Sequence, residues 1–478
     1  MAKVCENGAE DCTDARQSPR GINSDRNELW ARTATELAAA YQAGETSPEH
    51  VLEAVLTRFD TVNPTLNAIV TLDRDGARAA ARQAGIRLAA GKSLGLLDGV
   101  PVTVKDNLFV GGLRATWGSR LFKNFVADLD DAPIAALRAA GAIILGKTNT
   151  PEFAASGYTN NLLFGPTGNP WSPGLSPGGS SGGAAAAVAA GLGPLAIGTD
   201  AGGSIRRPAA HTGIAALKPG IGRVPRRGGF PQLNQDLQVI GTMARSVADL
   251  KAAFAIMASP SSRAGRPIHA LRVGVIYSIG GAPIEPSVEN AFVSACRVLK
   301  ELGHNMESID APWLPTEVNE LFFELTSVGT ARVLAERPAW RDEVTPSIRD
   351  AAEAGAARLA TDYLTTLDRL AAFREYVRDA LGPYDVVATP AASAVAWPKS
   401  DPYPRKIAGY EAGPRDAAAF STAINLAGLP AIVVPAPVKA GELPAGLQLI
   451  GRMGSEELLL DLAETFETAQ PWPQLAPL

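Results

Sequence analysis

The sequence has few cysteines, with Cys5, Cys12 and Cys296 the only three among 478 residues. Thiols this few and this scattered exclude a disulfide framework and the paired spacing of a structural zinc site. Cys296 shares a helical pattern with Phe292 and Leu299, which favours a small buried side chain over a reactive thiol. We therefore expect no bound metal and no cofactor.

Basic residues are not in excess either, because 44 lysines and arginines are set against 49 acidic residues, for a net charge of −5. A nucleic-acid-binding domain carries a basic face or stripe, so we expect no nucleic-acid partner. No uninterrupted apolar run reaches the ~18 residues of a membrane span, and residues 1–26 lack the apolar centre of a signal peptide. These absences predict a protein of the reducing cytoplasm with no membrane partner.

What the sequence does contain is an alternation of helix and strand patterns. Residues 1–27 are polar and typical of a disordered leader, and residues 28–478 are predicted to form a single domain. Residues 33–36 form a capping box that opens a helix. Ser47, followed by Pro48, opens a second helix, and an alanine-rich helix is predicted over about 75–90.

Short apolar runs bounded by turn residues predict buried strands. The first covers residues 100–104 and places Lys105 at its end. Further strands are predicted at 142–145, 271–276, 385–390 and 431–435. Helices are predicted around 134–137, over 286–302 and over most of 312–380, and a surface connection is predicted at 261–267. Strands that alternate with helices indicate an α/β fold whose sheet is covered on both faces.

A stretch rich in glycine and serine stands apart from this pattern. It comprises residues 178–183 and 198–206, separated by the apolar, helix-forming run 184–190, which a flexible linker would not contain. Glycine lets backbone amides approach a ligand closely because it has no Cβ. We interpret the stretch as the source of a nucleophilic serine and of backbone amides that bind the negative charge it creates.

Two short motifs match other enzyme classes. Residues 141–148 fit G-x4-G-K-[ST], but their apolar centre predicts a strand instead of a phosphate-binding loop, so nucleotide binding is rejected. Residues 178–182 fit G-x-S-x-G, the nucleophile elbow of α/β-hydrolases, which requires a histidine later in the chain. Of the candidates His211, His269 and His304, the last two are more typical of a structural or exposed histidine, and only His211 is close in sequence to the serines. A Ser-His-Asp esterase therefore stays open as the weaker alternative.

If histidine is not the base, a lysine can take its place, as in the Ser–Lys variants of the triad. With Lys105 considered, six blocks of the sequence resemble the amidase signature family: 99–107, 146–153, 165–170, 178–206, 425–431 and 446–451. They follow the family's order over about residues 30–465. The resemblance implies a large mixed, mostly parallel central sheet covered on both faces by helices. It also implies a catalytic core over about 70–260 and a variable, substrate-determining region over about 261–420.

The same resemblance implies a Ser-cisSer-Lys triad. Ser204 corresponds to the nucleophile that forms an acyl-enzyme, Ser180 to the serine that transfers protons, and Lys105 to the base. The Gly179–Ser180 peptide would be cis. Lysine must be neutral to act as a base, and burial at the end of a strand would lower its pKa.

Further residues take supporting roles in this interpretation. Four backbone amides would bind the oxyanion of the tetrahedral intermediate, those of Ala201, Gly202, Gly203 and Ser204. Ser181 is expected to support the site with a hydrogen bond, and Asp200 and Arg206 are expected to pair and brace the loop. Three residues after Phe153 would line a substrate-binding pocket, namely Ala155, Tyr158 and Asn160.

Other charged residues favour structural roles. Lys147 and Lys218 are expected to be surface or bracing residues and not a second base. A group of arginines could bind an anionic substrate, but a solvated or internally paired face is the favoured interpretation. The group comprises Arg206, Arg207, Arg223, Arg226 and Arg227.

The sequence therefore predicts an amidase that hydrolyses a linear, non-peptide C–N amide bond of a small molecule, with aryl amides, esters and carbamates as related substrates. The alternative is the glutaminase subunit of a tRNA-dependent amidotransferase, which works only with partner chains. A small-molecule amide is the expected partner, and a homodimer is a candidate assembly.

Overall fold

A computed structural model describes residues 26–259, 268 and 270–478 of the chain. The predicted leader, apart from its last two residues, lies outside this part of the chain, as do the predicted connection at 261–267 and His269. Those last two residues instead begin a 3-10 helix, Arg26–Ala31. The described structure therefore starts before the first helix that the capping box predicts.

Thirteen strands occur in the described residues, and eleven of them form one mixed sheet. The strands are β1 (Ile69–Leu72), β2 (Pro101–Lys105), β3 (Ile143–Thr148), β4 (Leu195–Asp200), β5 (Ala215–Lys218), β6 (Val239–Ala244), β7 (Arg272–Val275), β8 (Asn305–Ser308), β9 (Val386–Pro390), β10 (Lys406–Ile407), β11 (Tyr410–Glu411), β12 (Ala431–Pro435) and β13 (Gly446–Gly451). The sheet order is β1-β3-β2-β4-β6-β5-β12-β13-β9-β7-β8, and β10 pairs with β11 separately.

Parallel pairing is confined to two blocks of the sheet. In one block β2 lies between β3 and β4 and is parallel to both, and in the other β7 lies between β8 and β9. The strands between the blocks, and β1 at one edge, pair in antiparallel fashion. The predicted mixed sheet is thus confirmed, with antiparallel strands across its centre.

Fourteen α-helices are present in the same residues. They are α1 (Ala34–Gln42), α2 (Pro48–Leu66), α3 (Arg74–Ala89), α4 (Ala132–Ala139), α5 (Gly182–Ala189), α6 (Arg206–Thr212), α7 (Val247–Met257), α8 (Pro286–Glu301), α9 (Pro315–Ala335), α10 (Trp340–Glu343), α11 (Pro346–Ala356), α12 (Ala360–Leu381), α13 (Thr422–Leu426) and α14 (Glu456–Ala469). Short 3-10 helices lie at Arg120–Phe122, Glu152–Ala154 and Asp416–Ala418. Within these ranges, no helix combines the length and the apolar character needed to cross a membrane.

Local sequence signals explain where several of these elements begin. Thr33 accepts a hydrogen bond from the Glu36 amide while the Glu36 carboxylate accepts one from Thr33, so the predicted capping box opens α1. Ser47 caps α2, and Pro48 occupies its first turn as predicted. The alanine-rich helix is α3, and Cys296 is buried on the inner face of α8.

Helices cover both faces of the sheet because the strand residues on each face are apolar. One core contains residues of α4, α7, α8 and α14 against alternate residues of the central strands, including Val102 and Val104. The opposite face packs against α5 and α6 through residues such as Ala196 and Val433. Side chains alternate between faces along a strand. Lys105, the residue after Val104, therefore points toward the face where α5 begins.

Candidate active site

Lys105 lies at the carboxyl end of β2 and is fully buried. Its Nζ atom lies 2.7 Å from Ser180 Oγ, 3.0 Å from Thr199 Oγ1 and 3.3 Å from the Thr199 carbonyl oxygen. β2 and β4 are parallel neighbours, so their carboxyl ends meet at one edge of the sheet. The loop that follows β4 carries Ser204, which brings the two distant parts of the sequence to one place.

Burial is the main influence on the Lys105 amine. It lowers the pKa of Lys105 well below its ordinary value, and the more distant charge of Asp200 opposes this only in part. A neutral amine has two N–H donors and one lone pair. Two of the three contacts of Lys105 are with Thr199 oxygens that accept from it, and the Ser180 hydroxyl is placed to accept from an ammonium or to donate to the lone pair of a neutral amine.

Ser180 follows a cis peptide bond, Gly179–Ser180, as the resemblance implies. A Cβ at position 179 would lie 2.8 Å from backbone atoms of Tyr158, so only glycine fits there. Arg207 Nη2 donates to the Gly179 carbonyl at 2.8 Å. The segment around Ser180 is thus fixed from two sides.

Ser181 connects the two serine loops, which agrees with the supporting hydrogen bond expected of it. Its hydroxyl donates to the Thr199 carbonyl at 3.1 Å, and its amide donates to the Ser204 carbonyl at 3.0 Å. Ser204 itself is half-buried and lines a cleft. Its Oγ atom makes no hydrogen bond to the described residues. The Lys105–Ser180 contact is therefore formed, whereas a Ser180–Ser204 hydrogen bond is not, and such contacts often close only when substrate is bound.

Asp200 and Arg206 form a buried ion pair with two hydrogen bonds of 3.0 Å, as predicted. Burial by itself would raise the pKa of Asp200, but the charge and hydrogen bonds of Arg206 outweigh it and hold that pKa well below its usual range. The carboxylate also accepts hydrogen bonds from the amides of Gly203 at 2.7 Å and Ile205 at 3.0 Å. The pair therefore fixes the backbone on both sides of Ser204.

The peptide unit between Gly202 and Gly203 differs from the sequence interpretation. The Gly203 amide, expected among the oxyanion donors, is already bound to Asp200. The Gly202 carbonyl accepts from Ser421 Oγ at 3.2 Å and from Thr422 Oγ1 at 3.4 Å. The amides of Ala201, Gly202 and Ser204 remain the candidates for binding an oxyanion.

Two polar residues of this network were missed by sequence reasoning as site residues. Gln448 accepts from Arg206 Nη1 at 2.7 Å, and Asn425 accepts from Arg206 Nη2. Asn425 also donates to the Asp200 side chain at 3.0 Å. The signal was available for Gln448, because a lone amide inside the apolar strand β13 requires a buried partner.

Lys147 and Lys218 are both fully buried, so of the two roles expected of them, surface or bracing, the surface role is wrong. Lys147 braces the turn after β2, where it donates to the Leu108 carbonyl at 2.6 Å and lies 3.5 Å from Asp106. Lys218 donates to the Pro219 carbonyl at 2.8 Å. Burial first, and then the Arg206 charge, lower the pKa of Lys218 to about 7. Neither contacts Ser180 or Ser204.

The histidine and phosphate-loop alternatives receive no geometric support. His211 Nε2 contacts the Ala394 carbonyl at 3.0 Å, and burial lowers its pKa to about 3. His304 is buried beside β8, at the sheet edge far from β4, and His269 lies outside the described residues. Of residues 141–148, which fit the phosphate-loop motif, 143–148 form β3, whose amides belong to the sheet.

The cleft at Ser204 is lined mainly by residues that no motif indicated. Ala155 lines it as predicted, whereas Tyr158 and Asn160 are not among its lining residues. Tyr158 packs instead against the cluster around Trp397. The lining includes the side chains of Phe153, Leu233, Phe322, Thr326, Arg207 and Arg415. Over the described ranges, no three His, Cys, Asp or Glu side chains lie close enough to hold a metal ion.

Known proteins resemble the chain over most of its length. The family model described as Amidase matches residues 50–460. The chain is 35% identical to a glutamyl-tRNA(Gln) amidotransferase subunit of Chloroflexus aurantiacus, over 93% of this chain and 98% of that protein. It is 33% identical to an acylamidase of Rhodococcus erythropolis, over 95% and 98%. A crystal structure of a bacterial aryl acylamidase of the amidase signature enzymes superposes with a TM-score of 0.84 at 26% identity, over 92% and 96%.

Proposed function

The chain belongs to the amidase signature family, and from this premise we propose that it is an amidase whose nucleophile is Ser204. Its substrate in this proposal is a small-molecule C–N amide, with aryl amides, esters and carbamates as related substrates. The observation that carries the proposal is the 2.7 Å contact between the buried Lys105 amine and Ser180, in the loop that hydrogen-bonds to the Ser204 loop.

The proposed reaction begins with proton transfer toward Lys105. As Ser204 Oγ attacks the carbonyl carbon, its proton passes to Ser180, and the Ser180 proton passes to the neutral Lys105 amine. The tetrahedral intermediate then collapses with cleavage of the C–N bond. The proton returns through Ser180 to the nitrogen of the departing amine, which leaves an ester on Ser204.

Hydrolysis of that ester repeats the same path. Water loses a proton through Ser180 to Lys105 and attacks the ester carbonyl, and the proton returns to Ser204 Oγ as the acid departs. The oxyanion of each intermediate would be bound by the amides of Ala201, Gly202 and Ser204. Asp200 acts as a positioning residue, because its carboxylate binds the loop amides and not the reacting atoms. Arg206 acts through Asp200, whose carboxylate it holds.

Hydrolysis by the purified chain alone tests this function. With an acyl 4-nitroanilide as substrate, we expect release of 4-nitroaniline and its loss in Ser204→Ala. Ser294→Ala, at a half-buried serine of α8 that bonds only to the Asn290 carbonyl, is the matched control and should retain the wild-type rate. Equal hydrolysis by Ser204→Ala and wild type would contradict the assignment of the nucleophile.

A second candidate function is the glutaminase subunit of a tRNA-dependent amidotransferase. It is favoured by the 35% identity to glutamyl-tRNA(Gln) amidotransferase subunits over nearly their whole length. This candidate predicts no anilide hydrolysis by the isolated chain and hydrolysis of glutamine only with partner chains. The anilide experiment therefore separates the two functions.

A further inference from the structure

Two arginines line the cleft that contains Ser204. Arg207 comes from α6 and Arg415 from the loop before the 3-10 helix Asp416–Ala418. Arg415 donates to Thr422 Oγ1 at 2.6 Å, and its guanidinium lies 4.0 Å from the centre of the Phe322 ring. Arg207 is 6% exposed, and its Nε atom has no hydrogen-bond partner in the described residues.

Neither guanidinium is neutralised by the protein. In the described part of the chain, no carboxylate forms an ion pair with Arg207 or Arg415, and Asp200, which attracts Arg207 from a distance, is already paired with Arg206. Burial lowers the pKa of Arg207 to about 10. Burial, together with the charge of Arg207, lowers the pKa of Arg415 to about 9. The cleft thus confines two like charges.

The remaining residues of the cleft sharpen the charge argument. None of the described lining residues is an Asp or a Glu. A ligand carboxylate would restore the missing counter-charge, and its planar geometry suits the guanidinium group. A ligand ammonium would meet two positive charges and no negative one.

We propose that the substrate is an amide that carries a carboxylate, and that Arg207 and Arg415 bind this carboxylate while Ser204 attacks the amide carbonyl. This inference rests on the proposed amidase function and adds the substrate class to it. The sequence favours a solvated or internally paired face for the arginine group that includes Arg207. The structure instead shows that Arg207 lines the cleft. Free glutamine fits less well, because its ammonium group has no acidic partner there.

The test uses pairs of substrates that differ only in the carboxylate. One pair places the group on the acyl side, as the 4-nitroanilides of succinic acid and of its neutral isostere 4-methylpentanoic acid. The other places it on the amine side, as 4-acetamidobenzoate and 4-isopropylacetanilide. In at least one pair we expect kcat/KM to favour the carboxylate about ten-fold to a hundred-fold, the scale of one or two charge-assisted hydrogen bonds.

The arginines are tested by the ratio of kcat/KM for a carboxylate substrate to kcat/KM for its neutral isostere. Arg207→Gln and Arg415→Gln should each bring the ratio in the favoured pair toward one, and Arg415→Lys should retain part of it. Arg405→Gln, at an exposed arginine paired with Asp401, is the matched control and should keep the wild-type ratio. A structural role for Arg207, through its bond to Gly179, would lower both rates without changing their ratio.

Two results would overturn the inference while leaving the proposed function intact. One is a wild-type ratio near one, or below it, in both pairs although the neutral anilides are hydrolysed. The other is an unchanged ratio in folded Arg207→Gln and Arg415→Gln. If Arg207→Gln does not fold, the inference is tested by the wild-type ratio and by the ratios of Arg415→Gln and Arg415→Lys. Hydrolysis of none of the four substrates would contradict the amidase function, and the inference with it.

Discussion

At the scale of single residues, the proposed chemistry depends on a lysine whose amine is neutral when it accepts the proton. Lys105 has no carboxylate partner among the described residues, and burial lowers its pKa. Lys147 is equally buried, but it lies beside Asp106, whose charge opposes the effect of burial on its pKa. The difference between the two lysines is the missing counter-charge, which makes Lys105 the base in our proposal.

The pH dependence of activity follows from the need for a neutral Lys105 amine. Only the neutral amine accepts a proton, so kcat/KM should rise with pH through the lowered pKa of Lys105 and stay level above it. Lys105→Ala should reduce kcat/KM by about 10²- to 10⁴-fold at pH 7. The loss should be smaller at pH 10, where hydroxide can replace the base. Near-wild-type hydrolysis by this variant at pH 7 would exclude a lysine base.

The same lysine should reduce the stability of the fold. Between the lowered pKa of Lys105 in the folded chain and the ordinary lysine value of about 10.4, the unfolded chain protonates this residue and the folded chain does not. Over that range Lys105 makes the free energy of unfolding rise with pH. Lys105→Met should therefore raise the free energy of unfolding by roughly 1–3 kcal/mol at pH 7, with a smaller gain at pH 9. Urea unfolding at both values measures this. A gain in the free energy of unfolding that grows with pH would contradict this prediction. The control is Lys251→Met, at a lysine paired with Asp461 and Glu464, which should show no gain.

At the scale of elements, the turn between β4 and α6 is the part of the site most constrained by its neighbours. Asp200 ends the strand and binds the Gly203 amide, while residues at the start of α13 bind the Gly202 carbonyl. Gly203 has φ of +106°, and a Cβ there would lie 2.2 Å from Ser421 Oγ. The turn therefore tolerates no side chain at this position.

Gly203→Ala should disrupt the turn and displace the candidate oxyanion donors beside it, the amides of Gly202 and Ser204. We expect kcat/KM to fall by about 10²- to 10³-fold, the effect of losing one oxyanion donor. Gly222→Ala is the matched control, because Gly222 also has a positive φ of +79° but a Cβ there meets no atom within 4 Å. That control should lose about 1–2 kcal/mol of stability and keep its rate. Steady-state kinetics, measured together with urea unfolding, separates the loss of activity from the loss of stability. Equal losses of kcat/KM in Gly203→Ala and Gly222→Ala would refute the steric argument.

The elements also show how far sequence reasoning reached. Local signals were sufficient for α1, α2 and strand β2, because caps and short apolar runs act within a few residues. They were insufficient for Phe322 and Arg415, which join the cleft from α9 and from the loop before α13. Neither residue has a local pattern that indicates a site. Their positions depend on tertiary packing across more than 100 residues from Ser204, which no local signal reports.

At the scale of the whole molecule, one continuous sheet connects the first and last strands. β5 pairs with β12, which joins the parallel block containing Lys105 to the block formed by β9, β7 and β8. Arg206 adds a second connection through Gln448 of β13. Both connections support the prediction of a single domain over residues 28–478.

A single domain should unfold in one cooperative transition. Calorimetry should give one peak whose calorimetric and van't Hoff enthalpies agree, also in the presence of low urea. A separate transition for the region after residue 260 would instead indicate two units. The homodimer remains a prediction as well, and sedimentation equilibrium of the purified chain checks it.

The central claim is that Ser204, and not Ser180, forms the covalent intermediate, with Ser180 as the proton carrier to Lys105. Acid quenching during hydrolysis of an activated aryl ester, followed by peptide mass spectrometry, locates the acyl group directly. We predict the acyl group on the peptide containing Ser204 in the wild type and its absence in Ser204→Ala. An acyl group on Ser180 would contradict this account and would support the nucleophile-elbow interpretation of residues 178–182.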